Sequence, residues 1–375
     1  MNKKEKERYL RKFIFPFCHD ASKYEKVAKI GQGTYGEVFK VRDGTNPKKF
    51  VAMKKILMSD NRGGFPINTL KEIKLLQQLK NKNIVNYIEV CKAKATQRDQ
   101  LLPTFYLVMD FCEHDLAGLL SNMNVQFSLG EKKNIMKQLF NGLHFIHTNN
   151  ILHRDIKSAN ILITKSGVLK LSDFGLAKSF IRSNNDLKKC YSSEKVVTLW
   201  YRPPELLLGA KNYGPPVDLW GAGCIMAEMW NRFPIMPGST EQHQLNLISQ
   251  LCGSITPDAW PGVEKLELYK KMMLVRGQKR KLEARMKFYI RDSCARDLLD
   301  KLLIPDPSQR ISSHAALDHN FFWTEPLPCD LRNILAQHTQ SMFQYYAVPR
   351  RRGHVWGQAH SSSTSADTDY EDRVF

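Results

Sequence analysis

Two short motifs in the middle of the chain constrain its fold and chemistry more than any other feature. Residues 151–160 read ILHRDIKSAN, and the tripeptide DFG begins at Asp173. Asp155 can accept a proton from a hydroxyl nucleophile, while Asn160 and Asp173 offer oxygen ligands that suit Mg²⁺. Lys157 can neutralise charge on a transferred phosphate. A polar surface loop would explain one such residue, but the full spacing predicts a phosphoryl-transfer site.

The combined motifs resemble the catalytic and metal-binding loops of eukaryotic protein kinases. The resemblance implies an α+β fold with two lobes, a small mainly-β N-lobe with one regulatory helix and a large mainly-α C-lobe. A chain of 375 residues is long for one hydrophobic core and suits two lobes. We expect the kinase domain at residues 24–323, with the N-lobe at about 24–109, the hinge at about 110–115 and the C-lobe at about 116–323.

Three segments lie outside the expected kinase domain. Residues 1–23 are predicted to be an N-terminal extension, and residues 324–350 a C-terminal extension. Residues 351–375 contain a serine-rich, low-complexity run, which is typical of a disordered tail.

A glycine-rich stretch near the start of the domain predicts a clamp for ATP. Residues 24–30 and 37–41 have the pattern of strands, and GQGTYG lies between them. A dinucleotide-binding turn of similar spacing requires a helix directly after the glycines. A hairpin instead lets backbone N–H groups approach phosphate oxygens. The residues expected to contact ATP here are Ile30, Gly31, Gln32, Gly33, Thr34, Tyr35, Gly36, Glu37 and Val38.

The next strand and helix are expected to carry the lysine–glutamate pair that controls activity in the protein kinases that this chain resembles. Ala52 and Lys54 share one face of a strand, where Ala52 leaves room for adenine and Lys54 can reach the α- and β-phosphates. Glu72 falls on the apolar side of the following helix, where an unpaired carboxylate is costly. We therefore predict an ion pair between Lys54 and Glu72.

Further contacts to ATP are implied downstream. Asp110, Phe111 and Cys112 follow a buried strand at the hinge position, where backbone groups of Asp110 and Cys112 would bind adenine. Asp115 is expected near the ribose and Leu162 under the adenine. Asp173 completes the set of ATP contacts.

Other residues have predicted structural roles. Ser128-Leu-Gly-Glu131 is the pattern of a capping box that opens an amphipathic helix. Glu205 is expected to pair with Arg310, and Asp218 is expected to brace the backbone of the catalytic loop.

Within the kinases, residues 24–323 resemble cyclin-dependent kinases. Residues 66–72, PINTLKE, occupy the position of the helix that contacts cyclin in that family, and residues 196–205, VVTLWYRPPE, match the end of its activation segment. Lys157 and Thr198 imply a Ser/Thr kinase. Val197 and Arg202 imply a site shaped for proline after the target residue.

Longer stretches are similar to the transcription-elongation branch of this family. They are residues 111–120, 221–230, 241–257, 277–281 and 373–375. The similarity implies a T-type cyclin partner that binds the helix at Pro66–Glu72 and a nuclear location. It also implies that the C-terminal repeat domain of RNA polymerase II and elongation factors are substrates.

The expected phosphorylation sites depart from the family pattern. Its activating phosphothreonine corresponds to Ser193 here, with Ser192 adjacent, and its three clamping arginines correspond to Lys71, Arg154 and Lys178. Because lysine cannot form the bidentate fork of arginine, we expect a looser phosphosite and greater reliance on cyclin. Thr34 and Tyr35 offer inhibitory phosphorylation sites.

The net charge of +19 favours acidic or phosphorylated partners or RNA, although solvated surface lysines would also explain it.

The eight cysteines include no C-x-x-C, so neither a zinc knuckle nor a disulfide framework is indicated, and reduced thiols suit the cytosol or nucleus. The most apolar helical stretch, residues 219–230, is too short for a membrane span.

Three alternatives remain. A kinase-fold scaffold without catalysis would be expected to lack a catalytic residue. The five principal ones are all present, namely Lys54, Glu72, Asp155, Asn160 and Asp173. An RNA-binding protein would account for the charge, but no RNP, KH or zinc signature is present. A cell-cycle member of the same family would differ in its choice of cyclin.

Overall fold

The structure, a computed structural model, describes residues 18–33, 36–57, 66–93, 104–180, 198–338 and 340–344. The chain divides into two compact units between Cys112 and Glu113, within the range predicted for the hinge. The smaller unit is mainly β and the larger mainly helical, which confirms the predicted α+β class. The predicted sites at Thr34, Tyr35, Ser192 and Ser193, and the predicted tail at 351–375, lie outside the described residues.

The smaller unit is built on one six-stranded sheet in the order β1-β5-β6-β4-β3-β2. Its strands are β1 (Cys18–Asp20), β2 (Tyr24–Gly33), β3 (Gly36–Asp43), β4 (Asn46–Ile56), β5 (Tyr87–Ala93) and β6 (Thr104–Asp110). Neighbouring strands are antiparallel except for β1, which runs parallel to β5. The hydrophobic core of the sheet includes Val41, Val51, Met53 and Val108.

The segment before Tyr24 belongs in part to this sheet. β1 pairs with β5, and Ala21 is buried in the core beside Tyr24. Glu89 anchors the connection, because its buried carboxylate accepts a hydrogen bond of 2.6 Å from the hydroxyl of Tyr24. The smaller unit therefore begins at or before Cys18, whereas the sequence predicted an extension that ends at residue 23.

One helix, α1 (Ile67–Gln78), accompanies the sheet. Pro66 precedes it with a fixed extended conformation, and Glu72, Ile73 and Leu76 are buried. The first turn exposes apolar surface instead, since Ile67 is 70% and Leu70 is 44% exposed. The helix thus has a buried face that carries Glu72 and an outer apolar patch.

The larger unit contains nine α-helices among its described residues. They are α2 (Leu116–Ser121), α3 (Leu129–Thr148), α4 (Pro204–Leu207), α5 (Pro216–Asn231), α6 (Glu241–Cys252), α7 (Leu282–Met286), α8 (Ser293–Leu302), α9 (Ser313–Leu317) and α10 (Arg332–Ala336). None of the described helices is long and apolar enough to cross a membrane.

Short strands in the larger unit frame the catalytic motifs. β7 (His114–Asp115), β9 (Ile161–Ile163) and β10 (Leu169–Leu171) form one sheet, and β8 (Ile151–Leu152) pairs with β11 (Lys178–Ser179). The residues between β8 and β9 are the HRD loop, and those between β10 and β11 include DFG.

The predicted structural features of the larger unit are present. Ser128 and Glu131 form a reciprocal capping box at the start of α3. The stripe of α3 at Ile135, Leu139, Leu143 and Ile146 is fully buried. These contacts fix the helix that leads the chain to the HRD loop.

Glu205 and Arg310 form the predicted ion pair. The guanidinium of Arg310 donates to the two carboxylate oxygens of Glu205 at 2.8 and 3.0 Å, and both side chains are buried. Arg310 also donates to the carbonyl of Pro216, at the start of α5. A bidentate pair of this kind fixes geometry as well as charge.

Candidate active site

The glycine hairpin of the smaller unit is formed by β2 and β3. Gly31 pairs with Val38, and Gly33 with Gly36. Gly36 has a φ of 122°, and a Cβ atom there would overlap the carbonyl oxygen of Lys55. Glycine is therefore required at this position by both conformation and space.

Side chains along the hairpin differ in exposure. Ile30 is buried and Gln32 exposed, while Val38 is half-buried. Glu37 forms an ion pair with Lys29, and this hydrogen bond holds the pKa of Glu37 below its ordinary value. The contacts of these residues with ATP stay predictions.

Lys54 and Glu72 form the ion pair predicted from the sequence. The Lys54 ammonium lies 3.0 Å from one Glu72 carboxylate oxygen and 3.2 Å from the other. Strand β4 places Lys54 opposite Val38 on one side and Leu107 on the other. The Lys54 and Glu72 side chains are 12% and 3% exposed, so removal of either would leave a largely buried charge.

Ala52 lies two residues before Lys54 and is 7% exposed. The predicted hinge follows β6. The backbone N–H of Asp110 donates to the carbonyl of Asn86 at 3.1 Å, so its predicted adenine contact depends on its own carbonyl. Phe111 packs on Phe50 with a centroid distance of 6.4 Å, and Cys112 is buried.

The larger unit brings Asp155, Lys157 and Asn160 into one hydrogen-bonded network. One Asp155 oxygen is 2.8 Å from the Lys157 ammonium and accepts from the Asn160 amide at 3.0 Å. Its other oxygen accepts from the hydroxyl of Thr198 at 3.1 Å. That same hydroxyl accepts from Lys157 at 2.9 Å. The network shows that a hydroxyl group can be held by both the carboxylate and the ammonium.

The DFG motif is fixed beside this loop. Ser172 donates to the carbonyl of Asn160 through its backbone N–H, at 3.0 Å, which sets the following Asp173 close to Asn160. His153 bonds the Ser172 carbonyl at 2.8 Å and its ring packs edge-on against Phe174, at 4.8 Å between centroids. Asp173 itself has a left-handed backbone with φ of 61°, which a non-glycine residue rarely adopts.

Asp218 braces the catalytic loop, as predicted. Its two oxygens accept from the backbone N–H groups of His153 and Arg154, both at 2.9 Å, and one contacts His147. Burial alone would raise the pKa of Asp218, but its contacts with His147 and His153 together outweigh burial and lower the pKa. The buried carboxylate therefore holds the strained turn at Arg154, whose φ is 66°.

Asp115 has different contacts from those expected. Its carboxylate accepts from the backbone N–H of Gly118 at 2.6 Å, as the N-cap of α2, and from that of Gln344 at 2.9 Å. Burial raises the pKa of Asp115 to about 7. Both oxygens are thus used within the larger unit, and its ribose contact stays a prediction. Leu162, in β9, is half-buried.

The predicted phosphate clamp is described in part. The guanidinium of Arg154 donates to the Leu176 carbonyl at 2.6 Å and to the Tyr213 hydroxyl at 2.9 Å. Lys178 follows two residues after Leu176 and is half-buried in β11. Lys71 is exposed on α1 in the smaller unit. Their role at Ser192 or Ser193 stays a prediction.

Two sets of contacts around the site were not expected from the sequence. Tyr201 and Ser158 donate to opposite oxygens of Glu228, at 2.7 and 2.9 Å, and burial raises the pKa of Glu228 to about 7. Arg202 is paired with Glu241 at 2.8 Å. A buried glutamate in an apolar helix is the one signal that could have revealed the first set.

Comparisons with known proteins agree with this geometry. The family model described as "Protein kinase domain" matches residues 24–322. Cyclin-dependent kinase 9 of Danio rerio is 60% identical over 368 residues, which cover 96% of this chain and 98% of that protein. Cyclin-dependent kinase 9 of Homo sapiens is 59% identical over 365 residues, covering 96% and 97% respectively.

A solved structure is also similar. A chain in the crystal structure of the yeast RNA Pol II CTD kinase CTDK-1 complex aligns with a TM-score of 0.72 and 35% identity. The alignment covers 84% of this chain and 97% of that one.

Proposed function

The chain belongs to the protein kinase family, and from this premise we propose that it is a cyclin-dependent serine/threonine kinase that acts in transcription elongation. It transfers the γ-phosphate of ATP to Ser or Thr before proline. The observation that carries the proposal is the network of Asp155, Lys157 and Thr198, in which one hydroxyl contacts both the carboxylate and the ammonium. A substrate hydroxyl needs the same two contacts.

Each catalytic residue has a separate role in this proposal. Asp155 orients the substrate hydroxyl and accepts its proton, and Lys157 offsets negative charge on the phosphoryl group during its transfer. Lys54, held by Glu72, contacts the α- and β-phosphates of ATP. Such chemistry depends mainly on positioning and on charge stabilisation, since the protein forms no covalent bond to the phosphate.

Asn160 and Asp173 are the residues that would hold Mg²⁺. The Asn160 amide N–H₂ donates to Asp155, so its oxygen is the atom suited to a cation. Asp173 adds a carboxylate from the residue after Ser172, whose backbone N–H is bonded to the carbonyl of Asn160. These oxygen donors fit the preference of Mg²⁺, which would neutralise charge on the phosphates of ATP.

We propose that the cyclin binds α1 through its first turn. Ile67 and Leu70 are exposed there, and exposed apolar patches of this kind mark protein contacts. Glu72 lies on the same helix, so a partner that fixes the orientation of α1 also fixes the Lys54 pair. Similarity to cyclin-dependent kinase 9 supports a cyclin partner, and the resemblance of the sequence to the transcription-elongation branch favours a T-type cyclin.

The proposed substrate is the C-terminal repeat domain of RNA polymerase II, with elongation factors as further substrates. Support comes from the similarity to a yeast CTD kinase and to cyclin-dependent kinase 9. Such substrates imply action in the nucleus.

We further propose that Ser193 or Ser192 is the activating phosphosite. Lys71 and Lys178 replace bidentate arginines there, so the phosphate is held less firmly and cyclin contributes more to activation. If the single substitution Ser193→Ala abolishes activity even when cyclin is bound, this part of the proposal fails.

The test is transfer of labelled phosphate from ATP to a peptide of Ser-Pro repeats. The chain is assayed alone, with a T-type cyclin and with a cell-cycle cyclin, and Asp155→Asn serves as the inactive control. Transfer only with the T-type cyclin supports the proposal. Transfer only with the cell-cycle cyclin would leave a kinase of another branch, and measurable ATP binding without any transfer would support a scaffold instead.

A further inference from the structure

An exposed segment of the larger unit combines positive charge with exposed aromatic rings, and we propose that it binds single-stranded nucleic acid. We call residues 279–291, which read KRKLEARMKFYIR, the basic–aromatic segment. It includes α7 and the turn that follows, and the proposed kinase mechanism uses none of its residues.

The fold exposes the rings of this segment rather than burying them. Phe288 is 89% and Tyr289 is 55% exposed, although both are large apolar side chains. Their neighbours Met286 and Ile290 are buried, and the Ile290 N–H donates to the Met286 carbonyl at 2.7 Å. The backbone of the turn is therefore anchored by buried neighbours, and its two rings are exposed.

Exposed cations lie on both sides of these rings in the sequence. Lys287 directly precedes them and Arg291 follows closely, while Lys279 and Lys281 precede α7. Within the described part of the chain, none of these four side chains forms an ion pair with an acidic group. Their charge is therefore available to a ligand.

Other charges in the segment have structural partners. Arg280 is bonded to Asp300 at 2.8 Å, so it fixes the segment to α8. Glu283, the one acidic residue between 279 and 291, lies 3.9 Å from Arg296 of α8. The acid is thus offset by a neighbouring helix, and the segment keeps a strong positive field.

The combination favours single-stranded nucleic acid over other polyanions. Unpaired bases stack on exposed rings while one phosphate per nucleotide contacts a dense group of cations. A duplex conceals the faces of its bases. An extended peptide with one phosphate in every seven residues would space its charges by about 23 Å, too far apart to use neighbouring cations together.

The first test measures binding of a fluorescent oligouridine of about 12 nucleotides to the full chain by anisotropy. One variant combines Phe288→Ala with Tyr289→Ala. Another combines Lys279→Glu, Lys281→Glu and Lys287→Glu. Matched controls are Phe233→Ala, an exposed ring outside the segment, and Lys165→Glu, an exposed lysine outside it.

We expect the ring variant to bind RNA at least about tenfold more weakly with an unchanged salt dependence. The charge variant should also bind more weakly, and its plot of log affinity against log salt should be shallower by about 2. The controls should bind like the unmodified chain. Equal binding by all variants would overturn the proposal. So would a ring variant that binds the oligouridine as tightly as the unmodified chain does.

A second test needs no variant and so does not depend on the folding of one. RNA that carries 5-bromouridine is cross-linked to the unmodified chain by light, and the adducts are mapped by mass spectrometry. Adducts at Phe288 or Tyr289 are expected. Adducts confined to other basic stretches, such as residues 3–12 or 350–352, would overturn the assignment.

Discussion

Lys54 in the smaller unit depends on a residue of a separate helix, whereas Asp155 in the larger unit lies in a loop braced by buried contacts. The partner of Lys54 is Glu72, on a helix of 12 residues whose start has no side-chain cap and whose first turn exposes Ile67. The backbone on the N-terminal side of Asp155 is bonded to the buried Asp218. Displacement of α1 alone would separate Lys54 from Glu72.

The difference assigns regulation and chemistry to different regions. Aromatic packing of His153 on Phe174 and the bond from Ser172 to Asn160 hold the two motifs of the larger unit together. We infer that the catalytic loop of the larger unit is held by contacts within that unit, and that α1 is the element a partner controls.

The largest effect is expected at the centre of the braced loop. Asp155→Asn should lower phosphate transfer by about 10³- to 10⁴-fold, because the amide cannot accept the substrate proton. Thermal stability and ATP binding should stay near those of the unmodified chain. A steady-state assay with labelled ATP measures the loss, and substantial residual transfer would remove Asp155 from the mechanism.

Loss of a buried brace should affect stability rather than chemistry. Arg310→Ala leaves Glu205 buried without its partner, so we expect the free energy of unfolding to fall by about 3–5 kcal/mol. Arg332→Ala, which breaks an exposed pair with Asp330, is the matched control and should change stability little. Denaturant unfolding compares the two, and equal effects would contradict a rigid larger unit.

The pair in the smaller unit should behave in the opposite way. Glu72→Gln removes the charge that holds Lys54, and we expect activity to fall by about 100-fold. Stability should fall less than in Arg310→Ala, because the amide oxygen that Glu72→Gln introduces can still accept a hydrogen bond from Lys54, which is 12% exposed. Activity and unfolding are measured on the same preparation, and a stability loss as large as that of Arg310→Ala would erase the distinction between the units.

The smallest effect is expected at Asp115. Its pKa is about 7 in the folded chain and lower when unfolded, so the folded state retains the proton longer and stability falls as pH rises from about 4 to 7. The stability of Asp115→Asn relative to the unmodified chain should therefore be higher at pH 8 than at pH 5, by on the order of 1 kcal/mol, although its single amide oxygen replaces only one of the two acceptors used by Gly118 and Gln344.

Thermal melts at the two pH values measure this difference. Asp292→Asn, which changes the capping carboxylate of α8 at a less buried position, is the control for loss of a cap. A shift for Asp115→Asn that does not depend on pH would contradict the assigned cause.

Local patterns in the sequence predicted most of these features. The Lys54–Glu72 pair, the capping box at Ser128 and the brace at Asp218 each follow from a motif or from helix periodicity. The strand Cys18–Asp20 could not be predicted, because its residues do not alternate between apolar and polar side chains. Its connection to the sheet is anchored by Glu89, which is distant in the sequence.

The bond between Asp115 and Gln344 was equally hidden, since it joins residues far apart in the sequence. The left-handed backbone at Asp173 could not be recognised from the residue type, because aspartate is common in ordinary turns as well. Contacts between distant segments and backbone strain therefore needed the structure.

The most direct test of this division is hydrogen exchange measured with and without a T-type cyclin. The account predicts that amides of α1, at 67–78, become at least about tenfold slower to exchange when cyclin binds, while those of residues 151–160 keep their rates. Equal protection of both regions, or protection of the catalytic loop alone, would contradict the claim that α1 is the controlled element.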